Sequence, residues 1–249
     1  MATSQGLNII STKKLILVGS RTNLTDIVYT ARDLGYEVIG ILDKHYWGNT
    51  NSIDNIPLIG SEEELLSPEC KWKDYSFFLA NWWDGSQDLS GQGKNGGELR
   101  KQRIDILETS GVEVINLIHP TAVFFHKFDT VKIGKGNLIL GHAKFTSHIS
   151  IGNYSVIDWD CNIGTGTSIG DNVIVGATTT TAHAIIDDHV RIGVGSILIP
   201  KKNPTLTIGK NSIVYIGSTV LENVPADSVY NMYNKIRSRI TKRENENGL

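Results

Sequence analysis

Apolar side chains recur at every sixth position through the second half of the chain. The positions are Ile133, Ile139, Phe145, Ile151, Ile157, Ile163, Ile169 and Val175. A period of six is neither that of an α-helix nor the two-residue alternation of a half-buried strand. It is the period of a hexapeptide repeat, in which each hexad supplies one short strand and one turn, and three hexads close a coil. The sequence therefore predicts a parallel β-helix whose apolar side chains point into a triangular prism.

The six-residue repeat is interrupted twice. After Thr181 the next aliphatic residue is Ile186, which is five positions on rather than six, so one residue is missing from that coil. Further along, residues 199–205 contain two prolines and leave the coil before the pattern resumes at LTIGKN. An irregularity in a regular solenoid marks either a functional site or a neutral surface loop. Both interpretations stay open for each interruption.

The first half of the chain alternates apolar strands with helices. KLILVG (14–19) is an apolar run that ends in Gly19, and it is followed by apolar positions at helical spacing up to Gly35. A second apolar strand then ends at Asp43. This order is that of a nucleotide-binding βαβ unit, although the second and third glycines of the phosphate fingerprint are missing. Further alternation, with YSFFLAN and VEVINLIHP as strands, predicts a small parallel sheet covered by helices.

The two patterns divide the chain into an α/β domain over 1–118, a β-helix over 119–230 and a tail over 231–249. The 24 basic residues are matched by 26 acidic ones, and the net charge of -2 offers no field that would attract nucleic acid. No apolar run reaches the length of a membrane span. Only two cysteines occur, without metal or redox spacing. We therefore expect a cytoplasmic protein with no nucleic-acid or membrane partner.

The whole arrangement resembles the sialic-acid O-acetyltransferase and UDP-amino-sugar N-acetyltransferase family. The resemblance is carried by LILVGS, GYEVIGILDK, NLIHPTAV, the hexapeptide coils and VLENVPADSV. It implies an α/β N-terminal Rossmann-like domain followed by a C-terminal left-handed parallel β-helix. It also implies a homotrimer that transfers an acetyl group from its co-substrate acetyl-CoA to an amine or hydroxyl of a nucleotide-linked sugar, in surface-glycan biosynthesis.

The family's catalytic base is a histidine in a string like VEHDCVIG, and this position has changed. Alignment of DWDCNIG with that string places Trp159 at the base, whereas counting coils from NLIHP places Thr165 there. His183 lies eighteen residues after Thr165, and His148 lies seventeen residues before it. Both are therefore predicted to lie near the column of Thr165. Histidine is suited to take a proton from the acceptor, so we expect His183 and His148 to be the catalytic residues.

The resemblance also implies two sets of binding residues. Coenzyme A would lie along the coils near Gly193, Val194, Ile216 and Gly217. The nucleotide-sugar would meet the ends of the first two strands at Gly19, Ser20, Asp43 and Lys44. For Asp43, a strand end that binds no ligand is an equally open interpretation.

Two other functions are open at this point. Loss of the family's base favours a binding or scaffold homologue that has kept the fold without catalysis, whereas the complete two-domain plan favours an enzyme. His148, His183 and His189 also raise the possibility of a zinc β-helix enzyme of the carbonic anhydrase kind. The local strings do not resemble that family and its ligands would have to converge at a subunit boundary, so we expect no metal.

Overall fold

The computed structural model describes residues 13–20, 24–81, 96–125, 130–202 and 204–231. It confirms the predicted architecture, a Rossmann-like α/β unit followed by a left-handed parallel β-helix. The strands of the first unit are β1 Lys13–Val18, β2 Tyr36–Leu42, β3 Ser52–Ile53, β4 Ile56–Gly60, β5 Ser76–Leu79 and β6 Glu113–Val114. Its helices are α1 Leu24–Asp33, a 3-10 helix Glu62–Leu66 and α2 Gly96–Ser110.

The first unit has the sheet order β4-β2-β1-β5-β6, with these strands parallel. That order reverses direction between β1 and β5, which is the switch point where open α/β sheets bind ligands. The core side chains of β1 and β5 are fully buried, as expected for strands covered on both faces. The short β3–β4 hairpin was not predicted. Its signal is the pair Asp54 and Asn55, which adopt the positive φ angles of a tight hairpin turn.

The second half forms a three-sided prism. Face 1 consists of β7 Leu117–Ile118, β10 Leu138–Ile139, β13 Val156–Ile157, β16 Ile174–Val175, β19 Arg191–Ile192, β22 Ile213–Val214 and β24 Val229–Tyr230. Face 2 consists of β8 Val123–Phe124, β11 Lys144–Phe145, β14 Asn162–Ile163, β17 Thr180–Thr181, β20 Ile197–Leu198 and β23 Thr219–Val220. Face 3 consists of β9 Val131–Ile133, β12 Ile149–Ile151, β15 Ser168–Ile169, β18 Ala184–Ile186 and β21 Leu206–Ile208.

The six-residue period is the register of this prism. Ile139, Ile157 and Val175 are paired in successive coils of face 1, and all three are fully buried. The structure also shows the predicted one-residue deletion. Ile169 pairs with Ile186, a step of seventeen residues instead of eighteen. The shortening falls in the turn between faces 2 and 3, while the strands on either side keep their ladder hydrogen bonds. The chain therefore absorbs the deletion at a corner.

Face 1 is covered by the first domain. The outward side chains of Leu138, Val156 and Ile174 belong to one buried cluster that includes apolar residues of α1. The chain crosses between the two units at Asn116, so the predicted single strand VEVINLIHP is divided. The amide of Ile115 donates to the sheet at Phe77, whereas the amide of Leu117 donates to the prism. Neither helix of the described residues is long and apolar enough to cross a membrane.

Candidate functional site

The three corners of the prism differ in what lies next to them. Corner 1–2, between faces 1 and 2, carries Trp159. Corner 2–3 carries His148 and His183, and corner 3–1 carries His189. At each corner a residue with positive φ recurs in successive coils, which stacks the side chains of those coils in a column. The residues of corner 1–2 in this conformation are His142, Asp160, Thr178, Gly195 and Gly217.

Corner 2–3 holds the two histidines predicted to be catalytic. Both are exposed, and they lie in one column with Gly166 between them. His183 stacks on Gly166, with Nδ1 3.0 Å from the place of a Cβ, rather than on Thr165. The reason is the missing residue, which shifts the column by one. Within the described part of the chain neither histidine forms an ion pair. The turns of this corner also carry hydroxyls that bond to each other, with Thr165 Oγ1 3.0 Å from Thr146 Oγ1.

Corner 1–2 contains the indole of Trp159, packed between the prism and the first domain. The indole covers Gly141, where a Cβ would collide with its six-membered ring. On its other side the ring centroid of His119 lies 5.3 Å away in an edge-to-face contact. Trp159 Nε1 donates a long hydrogen bond of 3.5 Å to Asp26 in α1. The residue that one of the two alignments places at the base position therefore serves here as a contact between domains.

A histidine–carboxylate pair stands beside this indole. His142 Nδ1 lies 3.6 Å from Asp160 Oδ1, and both side chains are more than half exposed. The ring of His142 is 6.5 Å from that of Trp159, and its backbone amide donates to Thr121 Oγ1 at 3.1 Å. His142 was not among the functional residues predicted from the sequence. The signal was its position, because it precedes Asp160 by eighteen residues, the length of one coil.

A second carboxylate at the same corner has a perturbed acidity. Asp158 is half-buried, and this burial raises the pKa of its carboxyl, with the charge of Asp26 acting in the same direction. Two backbone amides, of Trp159 and Ala177, partly offset the rise by donating to the carboxylate. The corner thus combines an exposed His–Asp pair with a carboxyl that is easier to protonate than a free aspartate.

The residues expected to hold coenzyme A lie at corner 1–2 as well. Val194 and Ile216 are about half exposed, unusually for large apolar side chains, and they occupy successive coils. Gly193 packs closely on the backbone of Ile216, so a side chain there would not fit. From His142 to Gly217 is four coil steps, or roughly 19 Å at the spacing of paired strands. The predicted base and the predicted coenzyme positions are therefore on different corners, whereas His142 shares the coenzyme's corner.

The four residues expected to meet a nucleotide-sugar gather at the carboxyl ends of β1 and β2. Asp43 is fully buried: one oxygen accepts from Ser20 Oγ at 2.6 Å, and the other lies 2.8 Å from Arg103 Nη2. Arg103 Nε in turn donates to Glu62 at 2.8 Å. Asp43 therefore organises the strand ends from inside, while Lys44 remains exposed at the surface.

Two polar groups at the switch point have no hydrogen-bond partner among the described residues. They are the side-chain amide of Asn81 and Nη1 of Arg103, and both residues are almost fully buried. A Cβ at Gly19 would lie 2.5 Å from that Nη1 and 2.9 Å from Asn81 Cβ. Unsatisfied buried polar groups are rare in native structures and need an explanation such as a bound ligand or water. These groups stand where Rossmann-like sheets bind ligands.

A cavity of about 380 Å³ opens next to these strand ends, between the end of β2, the 3-10 helix and α2. It is lined by Lys44, His45, Glu62, Glu63, Leu99, Gln102, Arg103 and Ile106. The lining mixes charged and amide groups with two apolar side chains, which suits a polar planar group such as a nucleobase with its ribose. Among the residues the structure covers, no group of three or more His, Cys, Asp or Glu side chains is placed to hold a metal ion.

Comparisons with solved structures find the same architecture in proteins that include acetyltransferases. No protein-family model matches the sequence, and the search of curated proteins gives no match. Three solved structures that match are similar over both domains, and all are under 25% identical, so the likeness shows the fold. It confirms the architecture expected from the sequence resemblance.

The first of these structures is a histidine-to-asparagine mutant of perosamine N-acetyltransferase from Caulobacter crescentus, in complex with CoA and GDP-perosamine. It is 20% identical, with a TM-score of 0.68 over 87% of this chain and 92% of that one. WeeI from Acinetobacter baumannii AYE is 21% identical, with a TM-score of 0.69 over 88% and 96%. The acetyltransferase domain of PglB from Neisseria gonorrhoeae FA1090, in complex with acetyl coenzyme A, is 20% identical, with a TM-score of 0.59 over 88% and 95%.

Proposed function

We propose that this chain is an acetyl-CoA-dependent acyltransferase that acetylates an amine or hydroxyl of a nucleotide-linked sugar, a step of surface-glycan biosynthesis. The observation that carries the proposal is the arrangement at corner 1–2. The His142–Asp160 pair and the exposed side chains of Val194 and Ile216 lie there, next to the first domain. The fold adds support, since similar structures over nearly the whole chain contain coenzyme A and a nucleotide-sugar. A cytoplasmic location belongs to the same proposal, because acetyl-CoA is the co-substrate.

In this mechanism His142 is the general base. Asp160, 3.6 Å from Nδ1, favours the tautomer in which Nδ1 carries the proton and Nε2 is free to accept one. The separation is longer than a hydrogen bond, as is common for catalytic pairs before substrate binds. The sugar nitrogen or oxygen attacks the thioester carbonyl while Nε2 removes its proton. The carbon–sulfur bond then breaks, and the proton is returned to the leaving thiolate of coenzyme A.

Coenzyme A is proposed to lie along corner 1–2, from the coils of Gly193, Val194, Ile216 and Gly217 towards His142. The exposed Val194 and Ile216 would cover the apolar part of the pantetheine arm, and the open space at Gly217 would leave room for one of its amides. The column spans four coil steps, roughly 19 Å, which would give an extended arm a continuous surface. The thioester at the end of this arm is uncharged, so its binding requires no strongly charged pocket.

The nucleotide is proposed to bind in the cavity at the ends of β1 and β2. Lys44 lines this cavity, while Gly19 permits close approach at the switch point. Ser20 and Asp43 act by positioning Arg103, whose Nη1 and the amide of Asn81 would find partners on the ligand. A buried guanidinium beside an unpaired amide is suited to bind a phosphoryl or carbonyl oxygen.

The functional unit is proposed to be a homotrimer. Face 1 is covered by the chain's own first domain, whereas face 2 and corner 2–3 expose the apolar side chains of Val123, Phe125, Ile197, Ile199 and Leu221. Two further copies would bury these residues around a threefold axis. Corner 2–3 would then face a neighbouring copy, so His183 and His148 are the alternative base in the trimer. Light scattering should give three times the 27.4 kDa of one chain.

The test is a thiol-release assay with acetyl-CoA and a panel of UDP-, GDP- and CMP-linked sugars that carry free amines or hydroxyls. We expect release of coenzyme A that depends on one acceptor and on no other component of the panel. Calorimetric titration of coenzyme A provides the second measurement. If coenzyme A does not bind, the acyltransferase proposal fails altogether.

A second candidate function is a homologue that binds coenzyme A and a sugar nucleotide without catalysis. The observation that favours it is Trp159, which one of the two alignments places at the family's base position and which donates a hydrogen bond to Asp26 of α1. Binding of both ligands with no thiol release for any acceptor would establish this function and exclude the first. The two measurements together therefore separate the candidates.

A further inference from the structure

A second cavity lies at the opposite edge of face 1 from Trp159, between α2 and corner 3–1. Its volume is about 420 Å³. It is lined by Glu98, Lys101, Asn172, His189, Arg191, Lys210, Asn211 and Ile213. Helix α2 separates it from the cavity assigned above to the nucleotide, because Leu99 and Gln102 line that one while Glu98 and Lys101 line this one. The two cavities therefore have separate walls and different charges.

The lining of this cavity is basic. Lys101, Arg191 and Lys210 contribute three positive charges and Glu98 one negative charge, so the formal charge of the wall is +2 with His189 neutral. Outside the wall, Asp188 lies 3.6 Å from Lys210 Nζ at an exposed position, where an ion pair is weak. In a chain whose total charge is -2, this local excess of positive charge is not a reflection of composition.

Behind the wall a fully buried guanidinium adds to the positive field. Arg100 is 3% exposed and donates to three uncharged oxygens, those of the Asn172 side chain and of the Asn81 and Tyr154 carbonyls. Burial and the neighbouring Arg191 lower its pKa to about 9, so it is still charged at neutral pH. Within the described ranges Arg100 forms no ion pair, which leaves its charge to act on the cavity.

The same arginine fixes the state of His189. Arg100 Nε donates to Asn172 Oδ1 at 2.6 Å, so the amide nitrogen of Asn172 must point the other way, where it lies 3.0 Å from His189 Nδ1. That nitrogen can only donate, so Nδ1 accepts and Nε2 carries the proton of a neutral imidazole. Desolvation first, and then the charges of Lys210, Arg191 and Lys101, lower the pKa of His189 and keep it neutral.

We propose that this cavity binds a phosphoryl group, free or carried on a small molecule, between the two domains of one chain. A phosphate dianion matches the formal charge of the wall, and the lysine ammonium groups, the Asn211 amide and the His189 Nε2–H supply donors on several sides. Lys101 comes from the first domain and Lys210 from the second. An anion held by both therefore fastens α2 to corner 3–1.

The experiment is a calorimetric titration of the full chain with inorganic phosphate and, separately, with pyrophosphate. Sodium chloride at the same ionic strength is the reference, because an effect of screening alone would appear with this salt as well. The variants are Lys101→Gln and Lys210→Gln, with Lys132→Gln as the matched control, because Lys132 is an exposed lysine on face 3. We expect each of the first two to weaken binding about tenfold and the control to leave it unchanged.

The protonation of His189 gives an independent readout. A bound dianion should raise the pKa of this imidazole, since it offsets the positive charges of Lys210, Arg191 and Lys101 that help to lower it. NMR titration of the histidine side chains, assigned with His189→Gln, would measure the change. Three results would each overturn the proposal. They are no binding of phosphate and none of pyrophosphate, equal binding by the control and the lysine variants, or a His189 pKa that is the same with and without the anion.

Competition separates the sources of the phosphoryl group. If a UDP- or GDP-linked sugar or coenzyme A displaces phosphate in proportion to its own binding, the group belongs to a substrate. If the substrates and phosphate bind together, the cavity holds a separate phosphorylated compound. Neither result depends on acetyl transfer, so failure of the proposed enzyme activity would leave this measurement intact.

Discussion

Corner 1–2 and corner 2–3 of the prism are built from the same hexads but have become different surfaces. Both carry stacked positive-φ residues, and each carries histidine in its column. At corner 1–2, α1 of the first domain approaches, so His142 and Asp160 have Trp159 and Asp26 as neighbours. At corner 2–3, His148 and His183 are exposed, and the described residues supply neither of them with an ion-pair partner.

The repeat therefore determines where a side chain lies, whereas the covering domain determines which groups surround it. A histidine needs an orienting acid and a bound acceptor to act as a base. The coil period alone places His183 and His142 equally well. Only the packing of face 1 against the first domain distinguishes the two corners.

The largest expected effect is therefore on catalysis. Replacing His142 with Asn should lower kcat of the acetyl transfer by about 10²- to 10⁴-fold, the usual contribution of a general base. The matched variant is His183→Asn, which should keep full activity if corner 1–2 is the reactive one. Steady-state thiol release measures both. The opposite ranking would move the base to corner 2–3 and return the assignment to His183 and His148.

The next effect is on stability. Replacing Trp159 with Ala removes an indole that packs between Gly141, His119 and α1, and we expect a loss of about 3 kcal/mol in the free energy of unfolding. Chemical denaturation measures this loss. His183→Ala is the comparison, because its side chain is exposed, and it should change stability by under about 0.5 kcal/mol. Equal losses for the two variants would contradict the role of Trp159 as the contact between domains.

A smaller effect distinguishes the glycines beneath the two side chains. Gly141→Ala should cost about 1–3 kcal/mol because the added methyl collides with the indole, and the cost should largely vanish in a Trp159→Ala background. Gly166→Ala should cost about 1–2 kcal/mol through its φ of 71°. That cost should persist when His183 is also replaced by alanine. Denaturation of the two double-mutant cycles tests this, and equal coupling at both corners would refute it.

The sequence predicted the β-helix in detail because its core depends on one repeated contact. Ile139, Ile157 and Val175 obey the same rule in every coil, so periodicity alone gives their register. The one-residue deletion was also visible as the five-residue step to Ile186. The sequence did not show that this deletion would stack His183 on Gly166 instead of Thr165, because the position of the missing residue within the turn depends on the neighbouring coils.

The candidate site was less predictable because it is made by contacts between distant segments. Asp26 and Trp159 are 133 residues apart, and Arg103 reaches Glu62 over 41 residues. No local pattern signals that Arg103 covers Asp43, so the sequence left open whether the acid at the end of β2 binds a ligand. A strict count of eighteen residues back from Asp160 would have found His142. That count would still not have shown that α1 of the first domain packs against this corner.

The smallest expected effect is a pH dependence of stability that arises at corner 1–2. Burial raises the pKa of Asp158 in the folded state, so the native protein binds this proton more tightly than the unfolded chain. Stability is therefore lost as pH rises from the ordinary aspartate value through the raised one. Asp158→Asn keeps the acceptor for the Trp159 amide but carries no charge. This variant should be slightly more stable than the wild type at pH 7, and the difference should vanish below about pH 4. Denaturation midpoints measured across pH 3 to 8 would reveal it, and a difference that stays constant with pH would show that Asp158 does not titrate in this way.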